Sequence, residues 1–245
     1  MSLSQIAEAR VFNFKNETIA GYFRGSTSLS RLGTTPFDNA SGNSTVFTGE
    51  DHAYNYSGEI GFLLNIGDFA TFRVGAELIQ SKESEVVGSS AGGTKYFDLV
   101  SDVFVFNTTG TLEYHIFSTD TTRLSLFGGV GLGSISMDLD YTFTSAGLSA
   151  FSLSSDYTEK TTSYIIGAHA GAQYEFLFAD TVTMALEAGF RHLPVPKLDY
   201  KEDAATIYGA VTKGSRAKNQ DGTNRTLDLS GYYVGLGFRF YLDFL

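Results

Sequence analysis

Gly231-Tyr232-Tyr233-Val234-Gly235-Leu236-Gly237-Phe238-Arg239-Phe240-Tyr241-Leu242-Asp243-Phe244 is the stretch that decides the fold. Every even position after Gly231 is apolar, from Tyr232 through Val234, Leu236, Phe238, Phe240 and Leu242 to Phe244. The other phase carries Tyr233, Gly235, Gly237, Arg239 and Asp243. A period of two belongs to a β-strand, whose successive side chains point to opposite faces. The run is long enough to cross a bilayer, which takes about 9–11 tilted residues.

Working outward, the same alternation recurs at 18–30, 54–66, 70–80, 103–116, 123–135, 163–178 and 182–192. Links of two lengths join these runs. Short ones fall at 66–70, 117–122 and 179–181, and long polar ones at 31–53, 81–99, 138–160 and 193–226. Transmembrane barrels pair short turns on one side with long loops on the other. The pattern predicts an all-β chain: a closed antiparallel up-and-down transmembrane β-barrel of about eight strands over 18–245. Ten strands are the alternative, if the third or fourth loop adds a membrane hairpin. Residues 1–17 form an N-terminal segment that either hangs beside the short turns or enters the lumen. Leu139–Phe143 and Phe151–Leu153 still alternate around a tip at Ser145-Ala146-Gly147, which predicts a hairpin continuing above the membrane.

Composition narrows the function classes. With 17 basic and 27 acidic residues the net charge is −10, which disfavours binding to a phosphate backbone and so excludes nucleic acid as a partner. The chain has no cysteine, so disulfides, thiol catalysis and Cys-ligated metal centres are excluded. Glycine is abundant (27), proline scarce (3), and the aromatics are all Phe and Tyr, a mix that favours strands over helices. No run approaches the ~18 apolar residues of a membrane helix, so the membrane reading rests on alternation. Residues 1–3 carry no secretion signal, and a leader is expected to have been cleaved.

Alternation alone does not orient the sheet, because a soluble ligand-binding barrel puts its apolar phase inside. Three features favour the membrane orientation. The polar phase carries Arg24, Arg73, Arg191 and Arg239 together with Glu59, Glu77, Glu113, Glu175 and Glu187. Nearly balanced charges suit an enclosed lumen where each finds a partner, and interspersed glycines leave room for long side chains. Aromatic residues of the apolar phase cluster at both strand ends: Tyr54, Tyr56, Tyr164 and Tyr232 toward the long loops, Phe72, Tyr114, Phe176, Phe178 and Phe240 toward the short turns. Two such belts suit two lipid–water interfaces. Closing the first strand on the last leaves no open edge in lipid.

The last strand carries the clearest family likeness. Tyr233, Gly235, Phe238 and Phe240 resemble the C-terminal insertion signal of bacterial outer-membrane barrels. Phe244 stands where the family's terminal aromatic anchor would be, although the chain runs on to Leu245. The layout from residue 18 onward resembles small barrels such as the transmembrane domain of outer membrane protein A and outer membrane protein W. That resemblance implies the bacterial outer membrane, contact with membrane lipids and lipopolysaccharide, insertion by the outer-membrane assembly machinery, and a monomer. Fold alone does not fix function.

The expected role is non-enzymatic: structural, or surface recognition through long external loops, with the lumen closed by the Arg/Glu network. Arg73 with Glu77, and Glu187 with Arg191, lie four apart on one strand and about 13 Å from each other, so their partners are expected on neighbouring strands. His169 is expected as a hydrogen-bonded lumen residue beside them. Two alternatives are a narrow channel or conduit for small apolar molecules, and a lipid A-modifying enzyme. The enzyme would need a Ser, an orienting His and an acid near the outer leaflet; His192 lies at that level with no nucleophile in a short motif. No catalytic residue, metal site or cofactor is expected, since no His pair has ligand spacing. The loop acids, Glu159 among them, and the basic loop residues Lys213, Arg216, Lys218 and Arg225 are expected to be solvated.

Overall fold

The computed structural model describes residues 12–30, 45–49 and 53–242. Eight strands make the barrel: β1 (Ile19–Ser30), β3 (Tyr54–Ile66), β4 (Ala70–Ser81), β6 (Lys95–Ser118), β7 (Thr122–Phe143), β8 (Tyr157–Ala179), β9 (Val182–His192) and β15 (Gly231–Leu242). Each pairs antiparallel with the next, and β1 closes on β15 from Ile19–Leu242 to Ser30–Gly231. The ring has eight members, not ten.

The apolar phase faces outward. Ile60, Phe62, Val130 and Ile166 are 66, 67, 63 and 71% exposed, and Tyr56, Tyr164, Tyr232, Phe72, Tyr114, Phe178 and Phe240 are exposed with them. A soluble protein does not leave an unbroken apolar belt to water. In lipid that belt is the favourable surface, and the closed ring satisfies every strand edge. The chain is therefore a membrane-spanning barrel.

Strands β6, β7 and β8 run 24, 22 and 23 residues, about twice what a bilayer requires. Their surplus rises beyond the long-loop end as a head. Above the barrel the free edge of β6 is covered by β5 (Ser84–Ser90), which pairs with β2 (Thr45–Gly49). The free edge of β8 is met by β11 (Asp199–Tyr200), part of the fourth long link. That link also holds a ladder of β10 (Pro194–Val195) with β14 (Leu227–Asp228), and the hairpin of β12 (Ala204–Thr206) and β13 (Gly209–Val211).

Two expectations about the loops are corrected here. The second long link is not a loop: it contains β5 and the first turnless stretch of β6, because Lys95–Ser101 alternates like the strand below it. The third link does carry β7 and β8 on as a hairpin, paired up to Tyr141 and Tyr157, but the returning strand starts at Tyr157 and not at Phe151–Leu153. Residues Ser145–Phe151 form helix α1, started by Thr144, whose side chain accepts from the Gly147 N–H at 3.1 Å, and stopped by Ser152 in the left-handed region at φ 56°.

The head has an apolar core. Phe97, Leu99, Val103, Val105, Ile135, Met137, Leu139 and Ile165 point inward from β6, β7 and β8, and Leu193, Val195, Leu198, Ala217, Leu227 and Leu229 of the fourth link pack onto them. The link is folded across the barrel top rather than projecting into solvent.

Candidate functional site

The lumen is built by one phase of every barrel strand. Five arginines (Arg24, Arg73, Arg123, Arg191, Arg239) and five glutamates (Glu59, Glu77, Glu113, Glu175, Glu187) are buried on the strands' inner faces. The strand ladders explain how residues distant in sequence meet. Arg24 lies opposite Glu59 in the β1–β3 register, and Nη2 of Arg24 is 2.5 Å from Oε2 of Glu59. The same guanidinium contacts Glu77 at 3.2 Å and Glu187. Arg73 reaches Glu113 at 3.2 Å and Glu187 at 3.1 Å, and Arg191 pairs with Glu77. Arg239 binds both oxygens of Glu113, at 2.7 and 3.0 Å, and Glu175 at 3.0 Å. The partners of Arg73, Glu77, Glu187 and Arg191 thus come from other strands.

Phenols complete the network. Tyr22 donates to Glu59 at 2.6 Å, Tyr233 to Glu187 at 2.8 Å and Tyr241 to Glu175 at 2.9 Å. Gln173 accepts from Arg239 at 2.7 Å, and Arg73 lies over the Tyr22 ring at 5.5 Å. Gly75 keeps the centre open for them, since a Cβ there would strike the Tyr22 hydroxyl and the Glu59 side chain. A buried charge is tolerable only when paired and hydrogen-bonded, and most of these carboxylates hold two or more partners. Beside Arg24, Arg73 and Gln173 lies a cavity of about 10 Å³. That is room for about one water.

His169 bonds Thr111 at 2.8 Å, and His115 bridges Thr71 at 3.0 Å and Ser125 at 2.8 Å. Below them Phe12 and Phe14 pack into the short-turn mouth. Phe12 and Phe14 pack on Tyr241 with ring centroids at 5.4 and 5.9 Å, beside Tyr22 and Leu63. The Arg123 guanidinium stands 4.2 Å from the Phe14 ring centroid and donates to the Phe14 carbonyl at 3.3 Å. Sequence reasoning left Arg123, Tyr22, Gln173 and Tyr241 out of the network, although each sits on the inward phase of its strand.

The head holds a fully buried ion pair, and it overturns an expectation. Glu159 and Arg225 are not solvated: their side chains are 0 and 1% exposed and bond to each other. Burial opposes the Arg225 charge, but Glu159 more than offsets it and holds the guanidinium protonated well above its ordinary value. Burial pushes the surrounding phenols up, Tyr141 and Tyr157 far above the ordinary value and Tyr200 and Tyr208 to about 12. Arg216 is likewise held, by Asp199 at 2.7 Å.

Along β15, Tyr233 and Gly235 face the lumen. Phe238 and Phe240 face outward against Phe23 at centroid distances of 5.3 and 5.9 Å. Phe244 lies outside the described residues. At the outer end of β9, His192 Nδ1 lies 3.3 Å from Ser230 Oγ. That oxygen accepts the Leu193 N–H at 2.8 Å, and Asp228 accepts the Ser230 N–H rather than a proton from His192. The contact fastens the two ends of the fourth link. Among the described residues there is no cluster of three metal-ligating side chains.

No family model matches the chain, and no curated protein matches it significantly. Among solved structures, the outer membrane protein OprG from Pseudomonas aeruginosa is 15% identical with a TM-score of 0.46, over 92% of this chain and 98% of that one. Outer membrane protein AlkL, solved in lipid bilayers, is 16% identical with a TM-score of 0.43, over 100% and 99%. Neisserial surface protein A is 13% identical with a TM-score of 0.40, over 91% and 96%.

Proposed function

We propose that this is a non-enzymatic protein of the bacterial outer membrane, in which a sealed barrel anchors a structured head that works outside the membrane. The observation that carries the reading is the filled lumen. Charged side chains of both signs cross-brace its middle, and aromatic rings close its short-turn mouth. Ion conduction needs a continuous water path, and an eight-stranded barrel is just wide enough for side chains to fill. Contact with lipopolysaccharide, insertion through Tyr233, Gly235, Phe238 and Phe240, and a monomeric state belong to the same proposal. Planar-bilayer recording tests it. Barrel verified by heat-modifiable gel mobility is expected to give no current; stepwise conductance would contradict the sealed lumen.

One observation favours a second reading, a conduit for small apolar molecules: the apolar head core lies directly above the polar lumen. Vesicles carrying the barrel should take up an apolar fluorophore no faster than empty vesicles, and faster uptake would favour the conduit. The contact of His192 with Ser230 is the feature that a lipid A-modifying enzyme would build on. Lipid A incubated with the protein should keep its mass.

A further inference from the structure

The lipid-facing belt is not uniformly filled. On the wall made by β1, β3, β4 and β6, Gly25 and Gly58 stand opposite each other in the ladder. A Cβ on either would meet nothing within 4 Å. Around them Phe23, Ile60, Leu78 and Phe106 rise as walls, enclosing a groove of about 450 Å³. A second, separate groove of about 240 Å³ lies farther along the same outer face of β1, past Thr27 and Leu29, with Tyr54 and Tyr232 at its rim. From Phe23 to Leu29 the strand rises about 20 Å. At a tilt of about 40° that spans about 15 Å of depth, half of the ~30 Å hydrocarbon core.

We propose that this furrow is a binding site for one acyl chain of an outer-leaflet lipid. The proposal rests on the membrane reading of the belt, with which the furrow is continuous. Its depth matches a single leaflet. Its floor is backbone and glycine, so a chain lying there touches protein on three sides instead of one. Its upper end is flanked by the rings of Tyr54 and Tyr232, placed where ester and headgroup oxygens of a lipid lie. The walls of the lower groove, Phe23, Ile60, Leu78 and Phe106, are apolar and suit a hydrocarbon chain rather than a polar ligand. A methylene chain gains dispersion contacts in a groove that a flat belt does not give.

Native mass spectrometry of protein released from dimyristoylphosphatidylcholine bilayers into detergent tests the assignment. Wild type is expected to retain a population carrying one lipid. Gly58→Phe and Gly25→Leu fill the furrow into open space and are expected to lower that population several-fold. Ala170→Phe adds the same bulk to the opposite wall and should leave it unchanged. Heat-modifiable gel mobility, checked for every variant, reports the barrel separately from the lipid. Equal retention in all four proteins would overturn the site, as would loss in Ala170→Phe too, or a folded wild type that carries no lipid.

Discussion

The two halves of β6 lie on one strand and obey opposite rules. Its inward phase reads Asn107, Thr109, Thr111, Glu113 and His115 in the barrel, and Val105, Val103, Leu99 and Phe97 in the head, where only Ser101 is polar. Its outward phase is mostly apolar below, with Phe104, Phe106, Leu112, Tyr114 and Ile116 around Thr108 and Gly110, and mixed above, with Asp102 and Asp98 beside Val100 and Tyr96. No residue is inserted at the crossover, so the pleat keeps its phase from Phe97 to His115. What changes is the solvent. Where lipid surrounds the sheet, apolar groups go out and polar groups must satisfy one another inside. Where water surrounds it, the ordinary apolar core returns. The inward phase crosses over between Val105 and Asn107.

This contrast exposes each half to a different kind of damage. The largest effect is expected in the lumen. Glu187 serves Arg24, Arg73 and Tyr233, so Glu187→Ala leaves buried cations short of a carboxylate. The cost should be about 3–5 kcal/mol. It would appear as a lower temperature for conversion of the compact to the unfolded gel band, and an unchanged conversion would break the account of the network. In the head the matching injury is a cavity. Phe97 is fully buried against Phe143 and Tyr141, with centroids at 5.4 and 5.2 Å. Phe97→Ala should cost about 3–5 kcal/mol there. Limited proteolysis is expected to cut the fourth link while the barrel keeps its compact mobility.

A charge-to-apolar swap sharpens the difference. Arg225→Met with Glu159→Leu replaces a buried pair that shares no further salt bridge, at the loss of one bond from Arg225 to the Lys218 carbonyl, and should leave the head unchanged or more stable by about 1–4 kcal/mol in denaturant titration. Arg24→Met with Glu59→Leu should destabilise the barrel, because Glu77 and Glu187 lose a shared partner. Equal outcomes would mean that the two halves do not differ as described.

The smallest effect is alkaline. Tyr200 and Tyr208 are raised from 10 to about 12 by burial, so folding binds their protons more tightly than the unfolded link does. Their contribution is intact below pH 10 and falls as pH rises toward 12. Tyrosinate absorbance should lag behind that of a free phenol, and proteolysis of the fourth link should accelerate over the same interval.

The barrel was legible because its signal is local. Alternation from Tyr54 to Ile66 or from Val182 to His192 needs no knowledge of any other strand, and it fixes which face Glu59 and Glu187 occupy. What they meet there depends on register and shear around the ring, which is why the contact of Arg191 with Glu77 was beyond reach. The head was misread for a related reason. Glu159 and Arg225 are 66 residues apart and become partners only when the fourth link folds over β8. Read alone, each is a polar residue in a polar loop. Arg123 was a plain oversight of phase, since it precedes Leu124 as Ser125 follows it.

The central claim is the reversal along β6, and a solvent-accessibility scan tests it directly. The chain has no cysteine, so single cysteines can be placed one at a time from 96 to 116 and spin-labelled in bilayers. Labels at even positions from 104 to 116 are expected to relax with lipid-soluble oxygen, and those at 96 to 102 with a water-soluble reagent. Labels at odd positions should be shielded from both throughout. Water access at 107 to 115 would contradict the sealed lumen, and water access at the even positions from 104 to 116 would contradict the membrane barrel itself.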